Sequence, residues 1–599
     1  MDCNLQTNLT GPEIKYDLRK RGDLASFLQN ADIRLVRARY LYMLCSSRKA
    51  LPRRQEAELV ESMGGDATDG PALVTHGEMS EYGAGNRMAI IFAVSHSWET
   101  REHPDPCCFQ LEQIVNCLSL YEAAYETDLW VFYDYVSLFQ YQRKGEREEQ
   151  SFRRALDDMH VIYAHEFTCT LRIESLTPEA TWTAALADPS IQVSVYDEPS
   201  DSVRLRPLRD LVQNRSPYRD RGWCKAEIEW SALKSSTAMN HRIDQAEAEA
   251  STLRSMPMTP EALRSSAVFT HRSDAASVVQ LQAKIFHQKV SACEDLLLEG
   301  LKASEFAQLA PALKHYRCLR SLRLKKFNVG AEEATAFAQA LLGPGGVVQK
   351  LEIWCNVPEE SAREMLKALA TGLQTNSTVH TLIIREGDIG PAGGQALAEA
   401  IKANSTIQTM IFTESLGTTS VRALSQGLRV NAAITKLVIR NKEFSRHKGI
   451  GNAGAEAIAT ALMTNQSITH VDLGNNGIGL HGAKAIAEAL KHNSTVAIMD
   501  LVNNHMKGQE GACALADGLK NNHVVIDLDI HCNWWELSDE PRALSEIERL
   551  LERNQRENSV AARPGWTDTR RSDRRAADAR TAEREASGRF EDQQLPLRA

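Results

Sequence analysis

A pattern that recurs nine times between residues 291 and 535 constrains this chain more than any other feature. Each copy opens on a short strand with two apolar core positions. These pair as Leu296/Leu298, Leu322/Leu324, Leu351/Ile353, Leu382/Ile384, Met410/Phe412, Leu437/Ile439, Val471/Leu473, Met499/Leu501 and Leu528/Ile530. The period is roughly 28 residues, with one longer unit that carries the insertion Glu443–Lys448. A turn and a helix follow each strand. In the copy from Ser467 to Ser494, Ala483, Ile486, Ala487 and Leu490 fall at i, i+3, i+4 and i+7, one helix face. A unit this small cannot bury a strand face and a helix face alone, so the copies must stack on one another as an α/β solenoid. Asn328, Asn356, Asn476, Asn504 and Asn533 recur just after the strand, where a buried amide would satisfy loop backbone groups. Asn376, Asn404, Asn465 and Asn493 match glycosylation acceptors, but all end a helix at the same phase, which gives them a structural role as C-terminal caps.

The units resemble the long leucine-rich repeats of ribonuclease inhibitor and of the cytosolic nucleotide-binding, leucine-rich-repeat receptors. That resemblance implies a horseshoe with strands on the concave side and helices outside. The residue between the two core positions then faces the concave side. Along the array these are Arg323, Glu352, Ile383, Ile411, Val438, Asp472, Asp500 and Asp529, with Trp354, Arg385 and Arg440 close by and also facing out. An apolar centre flanked by Trp and Arg, with an acidic C-terminal third, reads as a protein-binding face. The chain has no G-x-x-x-x-G-K-[ST] loop, so the ATPase of those receptors is not expected.

Residues 86–290 read as a second module. Met88–Val94, Leu129–Phe132 and Phe167–Ile173 are apolar runs that predict strands buried on both faces. Helical spacing over Phe109–Tyr125 and Phe152–Tyr163 separates them and predicts a three-layer α/β sheet. Residues 175–217 read as an insertion, Gly222–Leu233 as a helix, 235–267 as a polar surface excursion, and Asp274 onward as the closing helix. Residues 1–85 are expected to form a partly flexible helical arm packed on this module, with a helix over Asp32–Ala50 and another restarting at Pro52. Residues 536–556 predict a capping helix and 557–599 a disordered charged tail.

Three polar clusters lie where an open parallel sheet builds its ligand crevice. Ser95-His96-Ser97-Trp98 follows the first strand, Asp134…Ser137…Gln140 follows the second, and Arg221-Gly-Trp223-Cys224-Lys-Ala-Glu227 opens a helix. Trp223-Cys224-Lys225-Ala226-Glu227 with Val94-Ser95 resembles the Trp-Cys-x-x-Glu element of TIR domains. Ser95-His-Ser-Trp98, the Asp134 to Gln140 cluster, Met159…Tyr163 and Arg221-x-Trp223-x-x-x-Glu227 resemble fungal heterokaryon-incompatibility domains. The insertion and the Asp134 to Gln140 segment depart from the TIR pattern. The resemblance implies Glu227 as the catalytic residue for cleaving the nicotinamide–ribose bond of NAD. Its carboxylate would stabilise positive charge on the ribose. Ser95, His96, Trp98, Asp134, Arg221 and Trp223 are then the candidate ligand contacts, Trp98 by stacking and Arg221 through phosphate. Against that stands a structural role, with Glu227 pairing with Arg221 or capping its helix. His96 between serines suggests a hydrolase, but no G-x-S-x-G elbow accompanies it.

A formal net charge of -9 argues against nucleic acid as the main partner. No run of about 18 apolar residues predicts a membrane span. Twelve scattered cysteines and no secretory leader point to reduced thiols and a cytoplasmic location. Cys107-Cys108 near His96 and His103 fits no standard metal spacing, so no metal is expected. Three readings remain open. In the first, the repeats bind a protein partner and the α/β domain signals by self-association into a homo-oligomer. In the second, the α/β domain is an NAD glycohydrolase using Glu227, with NAD as substrate and no cofactor required. In the third, the protein is a regulator or inhibitor acting through the repeats alone.

Overall fold

The computed structural model describes residues 15–63, 70–236, 239–244, 259–266, 272–442, 449–506, 509–533 and 542–561. The insertion Glu443–Lys448, most of the 235–267 excursion, Trp535, the start of the expected cap and the tail from 562 lie outside the described residues. The chain forms two compact units that divide near residue 291.

The first unit is built on a five-stranded sheet. Its strands are β1 (Val36–Arg37), β2 (Ala89–Ser95), β3 (Asp128–Phe132), β4 (Thr168–Arg172) and β7 (Asn240–Arg242); β5 (Gln192–Asp197) and β6 (Ser202–Pro207) form a separate hairpin. The order is β1-β3-β2-β4-β7. All neighbours are parallel except β1, which runs antiparallel along β3. Phe92, Val94, Val131 and Leu171 pack on one face with Ile114 and Leu118 of the helix Phe109–Ala124 and Tyr40, Leu41 and Leu44 of the helix Ala38–Ser46. On the other face, Phe132 meets Tyr163 edge-on, and Tyr163 meets Trp230 of the helix Gly222–Ala232. The continuous apolar runs are therefore covered on both sides, as their composition requires. The chain passes from β2 to β3 on one side and then crosses back to β4 on the other side of β2. That creates a topological switch point at the strands' carboxyl ends.

Several boundaries differ from the sequence expectation. The helix expected from Asp32 starts at Ala38, because Asp32 has a left-handed φ of 50° and Val36–Arg37 pair with the sheet. Residues of the expected arm, among them Val36, Leu41, Leu51 and Leu73, belong to the same core as β2 and β3. The helix expected over Phe152–Tyr163 is two helices, Glu146–Asp157 and His160–Ala164, broken at Asp158. Within the expected excursion, Asn240–Arg242 is a parallel strand beside β4. The segment read as an insertion carries its own small core of Trp182, Val193, Val195, Leu208 and Leu211.

The second unit is a nine-stranded sheet of β8 (Asp295–Glu299), β9 (Ser321–Lys325), β10 (Lys350–Trp354), β11 (Thr381–Arg385), β12 (Thr409–Thr413), β13 (Lys436–Arg440), β14 (His470–Asp472), β15 (Ile498–Asp500) and β16 (Asp527–Asp529), in chain order. Every ladder is parallel, and the core positions pair as the repeat alignment predicts: Leu322 with Leu351, Leu351 with Leu382, on to Met499 with Leu528. The helix Leu480–His492 buries Ala483, Ile486, Ala487 and Leu490, the predicted stripe. At Gly482, a Cβ would sit 2.5 Å from Ile478 and 3.0 Å from Ala455, so only glycine allows this close approach.

An asparagine ladder ties the repeats together. The side-chain amide of Asn404 donates to the carbonyls of Leu373 (2.7 Å) and Asn376 (3.0 Å). Asn431 donates to Asn404, Asn465 to Asn431, Asn493 to Asn465 and Asn522 to Asn493, each also reaching the end of the preceding helix. Each amide oxygen in turn accepts N–H groups two and three residues on, as Asn465 does from Ser467 (2.9 Å) and Ile468 (2.8 Å). Asn404 and Asn493 have extended rather than left-handed backbone, so they act through their side chains and not as left-handed caps. The four glycosylation-type asparagines, Asn376, Asn404, Asn465 and Asn493, are all buried in this way. The last rung comes from the terminal helix Arg542–Ala561, whose fully buried Asn554 donates to Asn522 (2.9 Å) and Val525 (2.8 Å). Among the post-strand asparagines, Asn476, Asn504 and Asn533 bond loop backbone as expected, whereas Asn328 and Asn356 are exposed.

Replacing Asn465 by Ala strands several buried backbone groups. Asn465→Ala should cost about 3 kcal/mol in urea unfolding, against under about 0.5 kcal/mol for exposed Asn356→Ala. Equal losses would contradict the ladder's role.

Candidate functional site

The switch point of the first unit gathers most of the residues singled out in the sequence. Ser95 ends β2, and its Oγ lies 2.5 Å from Glu227 Oε2 and 2.6 Å from the Tyr218 hydroxyl. His96 and Trp98 both reach Asp134, just beyond β3: His96 Nε2 lies 2.9 Å from Oδ1 and Trp98 Nε1 donates to Oδ2 at 2.9 Å. The Tyr135 N–H donates to Oδ1 as well, at 2.6 Å. Gln140 Nε2 donates to the Asp134 carbonyl at 3.0 Å, and Ser137 Oγ accepts from the Tyr133 N–H at 3.1 Å, which together hold the turn.

The hydrogen-bond pattern assigns the charge state of His96. Gln110 Nε2 donates to the carbonyls of Ser97 (2.7 Å) and Pro104 (3.2 Å), so its Oε1 is the acceptor for the Tyr133 hydroxyl at 2.8 Å. The Tyr133 oxygen, its proton so used, accepts from His96 Nδ1 at 3.3 Å. With Nε2 donating to a carboxylate, both ring nitrogens carry protons and His96 is an imidazolium. Burial works against that charge, but Asp134 overrides it and holds the His96 pKa above its usual value. Reciprocally, burial opposes the Asp134 charge, and His96 and Trp98 keep its pKa below the carboxylate range. The His96 side chain is 3% exposed and that of Asp134 31%, so the pair presents its carboxylate outward.

Glu227 is the opposite case. Among the described residues it forms no ion pair, with Arg221 or any other cation. Burial pushes its pKa up to about 8, with Ser95 and His96 offsetting only part and the Asp134 charge adding to the rise. It sits in the middle of its helix, so it is not a first-turn cap. Arg221 instead clamps main chain, donating to the carbonyls of Trp98 (2.7 Å), Asn214 (2.9 Å) and Ser216 (2.9 Å). Trp98 uses its indole N–H on Asp134 and meets Tyr135 edge-on. Trp223 is 38% exposed and packs edge-on against Trp230, outside the Ser95–Asp134 cluster. Sequence reasoning did not assign roles to Tyr133, Gln110 and Tyr218. Tyr133 had a signal in its place between the second strand and Asp134; Gln110, buried within a helix, had none. Among the described residues, no group of three or more His, Cys, Asp and Glu is arranged to hold a metal ion.

On the second unit, the residues between the core positions form one row across the sheet: Glu352, Ile383, Ile411, Val438, Asp472, Asp500 and Asp529 are direct partners from strand to strand. Arg323 precedes them on β9. The middle of the row is less open than an apolar patch. Ile383 and Glu352 are 4% and 5% exposed; Arg385 is ion-paired to Glu352, and Lys325 and Arg385 flank the Trp354 ring at 4.3 and 5.7 Å. Arg440 bridges two repeats, at 2.6 Å from Asp472 and 2.9 Å from Asp500. Burial raises the Asp472 pKa, and the neighbouring Asp500 raises it further against the pull of Arg440. A depression of about 190 Å³ lies here, lined by Val438, His470, Asp472, Asp500, Asp527 and Asp529 among others.

The repeats are where the chain matches a known class. A family model described as Leucine Rich repeat matches residues 375–398 and 464–487. No curated protein matches the chain. Among solved structures, it is similar to leiomodin-1 actin-binding site 2, at 16% identity and TM-score 0.22 over 37% of this chain and 98% of that one. It is also similar to TLR13 in its complex with ssRNA13, at 12% identity and TM-score 0.23 over 40% of this chain and 39% of that one. A third is the internalin InlF of Listeria monocytogenes, at 14% identity and TM-score 0.20 over 44% and 87%. The family match lies wholly within the repeats, and among the described residues no helix is long and apolar enough to cross a membrane.

Glu227 sets a sign for stability against pH. A carboxyl whose pKa is raised on folding binds more protons folded than unfolded, so its contribution is complete below about 4.5 and is lost as pH rises through about 8. The urea midpoint of the wild type should fall from pH 5 to pH 8.5 more steeply than that of Glu227→Gln. Parallel profiles would show that Glu227 ionises normally.

Proposed function

We propose that this is a recognition protein whose leucine-rich repeats bind a protein partner on the strand face and whose α/β unit, TIR-like in its motifs, delivers the output by self-association. The observation that carries the partner reading is the in-register row Val438, Asp472, Asp500 and Asp529, which borders the depression on β13–β16. The row passes from an aliphatic to an acidic end, which suits a partner segment that is apolar at one end and basic at the other. Arg385 and Arg440 are tied to Glu352, Asp472 and Asp500, so they order this face more than they offer free charge.

The test is capture from cell extract by the full chain. Val438→Glu with Asp529→Lys should reduce capture at least about tenfold, the scale of a lost interface anchor, with the folding transition unchanged. Unaltered capture would sink the strand face as the recognition surface.

A second reading is favoured by the gathering of Ser95, His96, Asp134 and Glu227 at the switch point of a doubly wound sheet. Here the α/β unit hydrolyses an N-glycosidic bond, NAD being the substrate its motifs imply and Glu227 the residue carried over. Release of nicotinamide from NAD by the full chain, free and concentrated into assemblies, decides it. No release in either state would leave the repeats as the functional part.

A further inference from the structure

We infer that, within this hydrolase reading on which the inference rests, the crevice divides its work between two carboxyl groups, Asp134 as the anion facing the sugar and Glu227 as the acid, and so is built for neutral N-glycosides, ribonucleosides whose base leaves only when protonated.

The geometry separates the two groups. Asp134 receives three N–H donors, from His96, Trp98 and Tyr135, and one donor is a cation. Such a carboxyl stays ionised. Its partial exposure leaves its outer side to meet a ligand, and a sugar C1′ that gains positive charge is the chemistry a fixed carboxylate favours. Glu227 meets hydroxyls only: Ser95, itself fully buried and bonded to Tyr218, reaches Oε2, and the Tyr163 hydroxyl, which donates to the Val94 carbonyl at 3.1 Å, is also within hydrogen-bond reach. Ser95 donating to Oε2 leaves Oε1 to carry the proton. A carboxyl that holds its proton near neutral pH beside one that does not is the pairing used for glycoside cleavage.

The step balances without a further reactant. The C1′–N bond breaks with its electron pair passing to the base nitrogen, which takes the proton of Glu227. Water adds its oxygen to C1′ and gives up its proton to solvent, from which Glu227 is protonated again, while Asp134 stays an anion throughout. Sugar and free base are the products. Nicotinamide leaves NAD as a neutral ring and needs no proton, so cleavage of NAD would use Asp134 and gain little from the acid. This reverses the weight that the motif alone places on Glu227. Ser95 and His96 act as positioning residues, one for each carboxyl group.

The experiment compares full-length wild type, Asp134→Asn and Glu227→Gln on adenosine, inosine and NAD, following base release. Glu227→Gln should lose about 100-fold more on the two nucleosides than on NAD, the range of a missing general acid, and Asp134→Asn should lose about 100-fold on all three. The wild-type rate on inosine should also fall as pH rises through about 8, while the rate on NAD should not, a readout independent of whether a variant folds. Wild-type activity with Glu227→Gln equally impaired on NAD and nucleosides, or with Asp134→Asn active, overturns the division of work. Failure of the wild type to release base from all three overturns the hydrolase reading itself, and the inference with it.

Discussion

A polar group taken out of water must find a partner inside the protein, and both units are organised around that requirement. In the repeats the problem falls at the end of each helix, where carbonyls have no helical partner and the chain must turn into the next strand. From Asn404 to Asn522 one asparagine per repeat answers it, donating to two carbonyls of the preceding unit and accepting two N–H groups of its own turn, as Asn465 does. Because Asn465 bonds Asn431 and Asn493 bonds Asn465, each repeat is completed by its neighbour. Apolar stripes such as Ala483, Ile486 and Leu490 drive the stacking, while the ladder fixes how the units meet. At the far end Asn554 supplies from a helix what a further repeat would have supplied.

The same requirement in the α/β unit produces a divided site. Asp134 is surrounded by donors, and the chain that runs from Gln110 through Tyr133 to His96 leaves the imidazole doubly protonated. Glu227 is given the hydroxyls of Ser95 and Tyr163 and, among the described residues, no cation. The asymmetry follows from where each residue sits: Asp134 begins a turn whose backbone and flanking aromatics point N–H groups at it, whereas Glu227 projects from mid-helix. The strands' order sets both at one switch point, so fold and electrostatics converge on the same place.

How much of this could be read beforehand depends on whether the constraint was local. The repeats were legible residue by residue, since period and pairing both follow from burial: Leu382 aligns with Met410 in the sequence and pairs with it in the sheet. The asparagines that end helices were visible as a recurring phase, but the bonds they make to the previous unit are tertiary and gave no local signal. The strands β2, β3 and β4 stood out as apolar runs, whereas Asn240–Arg242 is polar and becomes a strand only because β4 offers it an edge. The polar clusters were seen to converge, yet their roles were not. Arg221 reads as a phosphate ligand until its guanidinium is seen on three carbonyls, and Trp98 reads as a ring stacker until its N–H is seen on Asp134.

The proton positions on Glu227, His96 and Asp134 are open to direct measurement. Neutron diffraction from deuterated crystals grown near pH 6.5 would show them. The division between the two carboxyl groups requires deuterium on the Glu227 carboxyl, on both nitrogens of His96 and on neither oxygen of Asp134. A bare Glu227 carboxyl, or a singly protonated His96 beside a protonated Asp134, would contradict it.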